Sequence, residues 1–210
     1  MRVITALIFL ATGAVPATAQ GLCFCPLCLL GTHKSYAQSS ESMAPGLRPG
    51  DCLTVKLGTD AIKPGQIVAY RHPGSGFDHV MRLIATEGQS IEIRDGVPII
   101  DGKTATREPL SPLAMTGAVV CPEGQTGDCE VPRFRETLPG GASYAVLDAV
   151  PDSITDHMAR QSVPPGHIFV LGDHRDNAMD SRILPDMGGP GMLPVANVIG
   201  IVDHTDVVKP

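Results

Sequence analysis

Gly172-Asp173-His174-Arg175-Asp176-Asn177-Ala178-Met179-Asp180-Ser181-Arg182 follows directly on Ile168 to Leu171, an apolar run with the length of a buried strand. Charges of both signs crowd this short loop. Such a loop more often holds architecture through charge-assisted hydrogen bonds than performs chemistry. The strand that feeds it is one of many. Cys52 to Leu57 alternates apolar and polar residues, the period of a half-buried strand. Ile67 to Tyr70 follows the turn Lys63-Pro64-Gly65, and Val80 to Ala85 is a further extended run. Ser90 to Arg94 and Pro98 to Ile100 flank Asp95-Gly96, a hairpin signal, and a second Asp-Gly turn follows at Asp101-Gly102. Tyr144 to Leu147 and Val198 to Val202 complete the strands. Residues 104–145, rich in Pro, Gly and Thr, read as an inserted β subdomain. Asp152 to Gln161 is the one segment with the character of a short helix. The fold class is therefore mainly β, built from short, non-local strands.

Composition agrees. The 210 residues contain 23 Gly and 19 Pro but no Trp, which favours turns over long helices. A net charge of −6 without a basic run argues against a nucleic-acid partner.

The N-terminus predicts export. Met1-Arg2 precedes Val3 to Ala19, an uncharged stretch that ends Pro16-Ala17-Thr18-Ala19-Gln20. Cation, apolar stretch and small-residue exit are the parts of a secretory signal peptide cut after Ala19. The rival is an uncleaved membrane anchor, because Val3 to Leu30 holds no charge and a span needs roughly 20 apolar residues. In either case residues 1–30 are a leader or anchor and 31–210 the body.

Cysteine usage fits an oxidising compartment. Cys121 and Cys129 flank a turn-rich stretch and are expected to form a disulfide. Cys23, Cys25 and Cys28 have a spacing open to metal or redox chemistry. Against that, no fourth ligand is evident and the surroundings are apolar. Cys52, on a strand, is expected to be a buried thiol.

A second segment carries chemistry: Ser40-Glu41-Ser42-Met43-Ala44-Pro45-Gly46-Leu47, continued by Arg48-Pro49-Gly50-Asp51. Two serines two residues apart at a strand exit lie on one side of a turn. A serine hydroxyl needs a base within hydrogen-bond reach and donors for the developing oxyanion. In this order, the serine segment and the charged loop resemble the first and last signature boxes of the type I signal peptidases, membrane-anchored serine proteases that remove leader peptides. The resemblance spans about residues 36–203 and includes Arg135-Glu136-Thr137-Leu138 and Pro194 to Gly200. It departs at Gly46, where Thr or Ala is usual, and at Gln89, where Asp is usual.

By position, the resemblance implies that Ser42 is the nucleophile and Ser40 the oxyanion donor. Met43, Leu47 and Val80 would line the substrate cleft. Arg82, Asp173, Arg175, Asp180 and Arg182 would support the site. It further implies an antiparallel β body without metal or other cofactor. The partners would be extended leader peptides of exported proteins, cleaved after small residues and bound by addition to a sheet edge. The location would be the exported side of the cytoplasmic membrane, the periplasm, with the N-terminus associated with the membrane.

The middle box departs from the family pattern. Asp78-His79-Val80-Met81-Arg82 places Met81 where those enzymes carry a lysine general base, and Ala178 where a serine hydrogen-bonds that lysine. A thioether cannot take the proton of Ser42. His79, two residues earlier and so on the same strand face, is a possible substitute base; His174 and His72 are others. Lys56 and Lys63 have no family counterpart and read as solvated. Two functions follow: an active serine endopeptidase with a substitute base, or a catalytically silent relative that binds extended peptides or a partner protein.

Overall fold

Alternation along Cys52 to Leu57 is realised as a strand that buries Leu53 and Val55 and leaves Lys56 in solvent. A computed structural model describes residues 23–206 of the chain, apart from 61, 119 and 125. The leader or anchor reading, including the cut after Ala19, lies mostly outside the described residues. Among the described residues no helix is long and apolar enough to cross a membrane.

The strands in chain order are β1 (His33–Ala37), β2 (Cys52–Leu57), β3 (Ile67–Arg71), β4 (Asp78–Thr86), β5 (Ser90–Arg94), β6 (Val97–Ile100) and β7 (Lys103–Thr104). They continue with β8 (Thr106–Ala118), β9 (Gly127–Thr137), β10 (Ser143–Leu147), β11 (Met158–Ser162), β12 (His167–Leu171), β13 (Leu193–Pro194) and β14 (Val198–Asp206). The main sheet has the order β1-β2-β14-β3-β4-β12-β13 and its pairs are antiparallel. A four-stranded sheet, β11-β5-β6-β7, and a three-stranded sheet, β10-β9-β8, complete the body. The expected mainly β, antiparallel class is thus what the chain adopts.

The Asp95-Gly96 hairpin forms as the sequence suggested. Asp95 and Gly96 have φ of 50° and 72°, the left-handed pair that a tight two-residue turn needs. The expected helix over Asp152 to Gln161 does not form. Residues 151–152 and 154–155 are turns, and Met158–Ser162 pairs with β5 as an edge strand. An exposed four-stranded edge supplies backbone partners that a short isolated helix lacks, and tertiary pairing overrides local propensity.

Cysteine pairing corrects two expectations and meets a third. Cys121 and Cys129 are bonded, as expected. Cys52 is no free thiol: it is bonded to Cys23, so the strand reading was right and the thiol reading wrong. Cys25 is bonded to Cys28. Among the described residues no thiolate remains to hold a metal, which removes the metal reading of Cys23, Cys25 and Cys28.

The core sits against the inner face of the main sheet. Met43, Leu47, Tyr70, Met81 and Leu83 pack there with Val170. A second cluster around Ile91, Leu138 and Phe169 joins the main and four-stranded sheets. β4 passes from one to the other, which is why it is the longest buried strand next to the site.

Candidate active site

The serine turn is closed at its base by the β1–β2 ladder. Gln38 N–H donates to Asp51 C=O at 2.8 Å and Gly50 N–H to Gln38 C=O at 2.9 Å, which continues the pairing past the strand ends. Within the loop, Ala44 N–H donates to Glu41 C=O and Leu47 N–H to Met43 C=O, two tight turns. Arg48 N–H donates to the Asp51 carboxylate, so Asp51 locks the exit. Gln38, buried, donates its side-chain amide to Ser40 C=O at 2.8 Å. The outcome is a rigid loop with Ser40 Oγ and Ser42 Oγ 3.0 Å apart.

The loop rests on the charged segment. His174 N–H donates to Ser42 C=O at 3.0 Å. Leu147 N–H donates to Asp173 C=O, and Arg175 N–H to Leu147 C=O, so the segment extends the end of β10. Gly172 is required by proximity: a Cβ there would lie 2.2 Å from Ala178 Cβ and 2.8 Å from Ser42 C=O. Gly46 has no such constraint at the Cβ, whose nearest atoms would lie at 3.7 Å.

Beneath lies a layer of buried ion pairs. Arg82 Nε donates to Asp173 Oδ1 at 2.7 Å, and the guanidinium stacks 4.0 Å from the Tyr144 ring. Arg175, fully buried, forms a two-pronged pair with Glu136 at 2.9 and 2.6 Å. Glu136 also accepts from Arg107 and from the Tyr144 hydroxyl. Arg182 forks onto Asp180, whose carboxylate accepts the Gly172 N–H. Every sequence-predicted supporting residue is in this layer. Burial alone pushes the Glu136 carboxyl up, but Arg175 and Arg107 pull it down to about 2. Glu136 and Tyr144 were not among the predicted site residues, although Glu136 lies in a quoted family segment. Their signal is tertiary, because their partners come from β4, β8 and the charged loop.

Two open cavities, each about 400 Å³, meet at Ser40, Ser42 and His79. One runs between Ala37 to Ser40 and Asp78 to Val80, with Phe77 at its rim. The other is bounded by Met81, Asp176 and Ala178. The structure therefore brings the serine pair, the lysine position and the position of the lysine's partner to one place. Met81 is 2% exposed and packs with Tyr70 and Leu83, and Ala178 packs against the same cluster. Neither the Met81 nor the Ala178 side chain carries a charge, although the Asp176 carboxylate lines the same cavity.

Val80 lines the first cavity. Met43 and Leu47 do not line either cavity: both are buried in the core beneath the loop, because their apolar side chains fill the space between the turn and β3–β4. They shape the cleft from below.

His79 sits opposite Tyr70 in the β3–β4 register, and Met81 opposite Val68, so both point to one face. Its ring lies 4.9 Å from that of His72 and 5.8 Å from that of Tyr70. Burial, then the neighbouring His72, lowers its pKa below the usual 6.5, against the pull of Asp78. His79 is therefore neutral near pH 7, with a nitrogen free to take a proton. Among the described residues no hydrogen bond joins it to either serine. His72 and His174 are not the surface groups that loop histidines usually are. His72 is buried, and its Nδ1 accepts the N–H groups of Gly74 and Ser75 at 3.1 Å. His174 is fully buried under the serine turn, and burial lowers its pKa. Neither lines the cavities that hold Ser42. Lys56 and Lys63 are exposed, as expected.

Two acidic groupings, Asp95, Asp152 and His157, and Asp148, Asp156 and Asp176, bring ligand atoms within 4.8 Å of one another. In the second, Asp148 is paired with Arg107, and Asp156 and Asp176 accept backbone N–H groups. Asp176 of the second grouping also lines the cavity that holds Ser40 and Ser42.

The chain is 31% identical over 142 residues to a signal peptidase I of Rickettsia conorii, covering 64% of this chain and 48% of that protein. It is 27% identical over 172 residues to a probable signal peptidase I-1 of Synechocystis, covering 77% and 64%. The match thus spans about half to two thirds of the relatives' length. A solved signal peptidase I from Enterococcus faecalis aligns at 22% identity and a TM-score of 0.38, covering 69% of this chain and 99% of that one. Residues 12–205 match the family model described as signal peptidase, peptidase S26, and the chain belongs to that family.

Proposed function

We propose that the chain is a signal peptidase I-like serine endopeptidase that cleaves leader peptides of exported proteins after small residues, with Ser42 as nucleophile and His79 as base. The observation that carries this reading is the Ser40–Ser42 pair at the junction of two open cavities that His79 also lines. An extended peptide fits between Ala37 to Ser40 and Asp78 to Val80, with backbone on both sides. Ser42 Oγ attacks the scissile carbonyl as its proton passes to neutral His79. The Ser42 N–H and the Ser40 hydroxyl donate to the oxyanion. His79 returns the proton to the departing amine, and water then resolves the acyl-enzyme. The work takes place on the exported side of the cytoplasmic membrane, to which the apolar N-terminal segment before Cys23 delivers the body.

A specific observation favours a second reading. The buried Met81 and the adjoining Ala178 leave the usual base position without any proton acceptor. On that reading the cleft binds extended peptides or a partner and does not cut. One experiment separates the two: cleavage of a small-residue leader peptide by the purified protein, by Ser42→Ala, by His79→Gln and by Met81→Lys/Ala178→Ser. Loss of cleavage in Ser42→Ala, with a fall of about 10²–10⁴ in His79→Gln, supports the peptidase. Cleavage only by the double variant, with peptide binding in the natural chain, supports the silent reading.

A further inference from the structure

The segment that leads into β1 holds a feature that peptide cleavage does not use. Cys25 and Cys28 are bonded to each other across Pro26 and Leu27 in a single turn with no buried residue. Both are half-buried, while Phe24, Leu29 and Leu30 beside them are 82%, 90% and 73% exposed. Cys25 Sγ accepts the Cys28 N–H at 3.1 Å. We infer that Cys25–Cys28 is an exchangeable redox pair that trades electrons with dithiol polypeptides by thiol–disulfide exchange.

The other two disulfides set the contrast. Cys23–Cys52 closes a sequence separation of 29 and ties this segment to β2, next to the serine loop. Cys121, bonded to Cys129, is 1% exposed. A bridge restricts the unfolded chain more the longer the loop it closes, so the two-residue loop of Cys25–Cys28 gains least from the fold. Opening it disturbs no core, because none of its turn is buried. Meanwhile Cys23–Cys52 keeps the segment in place. The backbone N–H that reaches Cys25 Sγ also stabilises the thiolate formed there, which makes Cys25 the better leaving group. The exposed Phe24, Leu29 and Leu30 give an unfolded polypeptide an apolar surface beside the sulfurs.

The step balances as follows. A thiolate of the donor attacks Cys28 Sγ; a donor–Cys28 bond forms, the Cys25–Cys28 bond breaks, and Cys25 leaves as thiolate. The donor's second thiolate attacks its own sulfur in that mixed disulfide and releases the Cys28 thiolate. The donor dithiol is oxidised by two electrons, and Cys25 and Cys28 take up two electrons and two protons.

This inference is independent of Ser42 cleavage. It is tested on the full chain in mixtures of reduced and oxidised glutathione, with acid quenching, labelling by N-ethylmaleimide and peptide mass mapping. Cys25 and Cys28 are expected to label together at about tenfold less reductant than any other cysteine, reversibly, and equally in Ser42→Ala. Labelling of Cys25 and Cys28 together with, or after, the other pairs overturns the inference. In a second arm, the oxidised protein is mixed with a reduced two-cysteine peptide. Disulfide formation in the peptide should be faster than with Cys25→Ser/Cys28→Ser; equal rates overturn it.

Discussion

The two sides of the serine loop are built from opposite materials. Below it, Arg82, Asp173, Arg175, Glu136, Asp180 and Arg182 form a buried ionic layer in which each guanidinium meets a carboxylate. Beside it, Met81 and Ala178 form an apolar floor where the family's lysine and serine would stand. Both regions contact the same turn, one through the Ser42 carbonyl and the other through its hydroxyl side. The contrast teaches that holding a nucleophile and deprotonating it are separate tasks. The first needs a full set of backbone and charged partners. The second needs one proton acceptor, and it can be lost or moved without disturbing the first.

The comparison breaks most severely at Glu136. Glu136→Ala leaves Arg175 buried and unpaired, and should cost about 3–5 kcal/mol in urea unfolding. The same carboxylate has a sign to check with pH. Its folded pKa, about 2, lies below its usual 4.5. Its contribution is thus complete above pH 4.5 and is lost as pH falls toward 2. Glu136→Gln should flatten that part of the stability profile; an unchanged slope would refute the ionic account.

The floor is tested by restoring charge to it. Met81→Lys alone buries an ammonium among Tyr70 and Leu83 and should cost about 2–4 kcal/mol, seen as a lower urea midpoint. Adding Ala178→Ser should recover part of that loss, because a hydroxyl at 178 gives the ammonium an acceptor. If the pair of changes is merely additive, the two positions do not face each other.

Gly172 joins the two regions, and Gly172→Ala should cost about 1–3 kcal/mol by pushing on Ala178 and the Ser42 carbonyl. Leader-peptide cleavage should fall more than binding, since the hydroxyl shifts while the cleft walls stay.

The smallest expected effect is on mild acidification. His174 and His79 have folded pKa values lowered below 6.5 by burial, so the unfolded chain binds more protons there. Stability should therefore decline as pH falls from 6.5 through those folded values, before Glu136 begins to titrate. His174→Gln should remove most of this early slope. If His79 is the base, kcat/KM keeps its full value at pH 7 and falls on the acid side of 6.5; a lysine base would place that fall at higher pH.

Much of this was readable along the chain. Period-two alternation marked β2, and Asp95-Gly96 marked its hairpin, because both signals are local backbone properties. The serine loop and the charged loop were legible from residue type and spacing, and so was the empty base position, since a thioether at 81 has the same chemistry in any fold. What only the tertiary structure decided depends on distant partners. Cys52 met Cys23 rather than staying a thiol, as sequence cannot say which strand end a cysteine will face. Met158–Ser162 became a strand because β5 offered an edge. Met43 and Leu47 turned inward because Tyr70, Met81 and Leu83 of the remote strands β3 and β4 offer them apolar partners beneath the loop. Glu136 became the hub of the ionic layer because Arg107 and Tyr144 of its own sheet and Arg175 of the charged loop converge on it. Residue chemistry is carried by the chain itself, whereas burial and pairing are created only when remote segments close on one another.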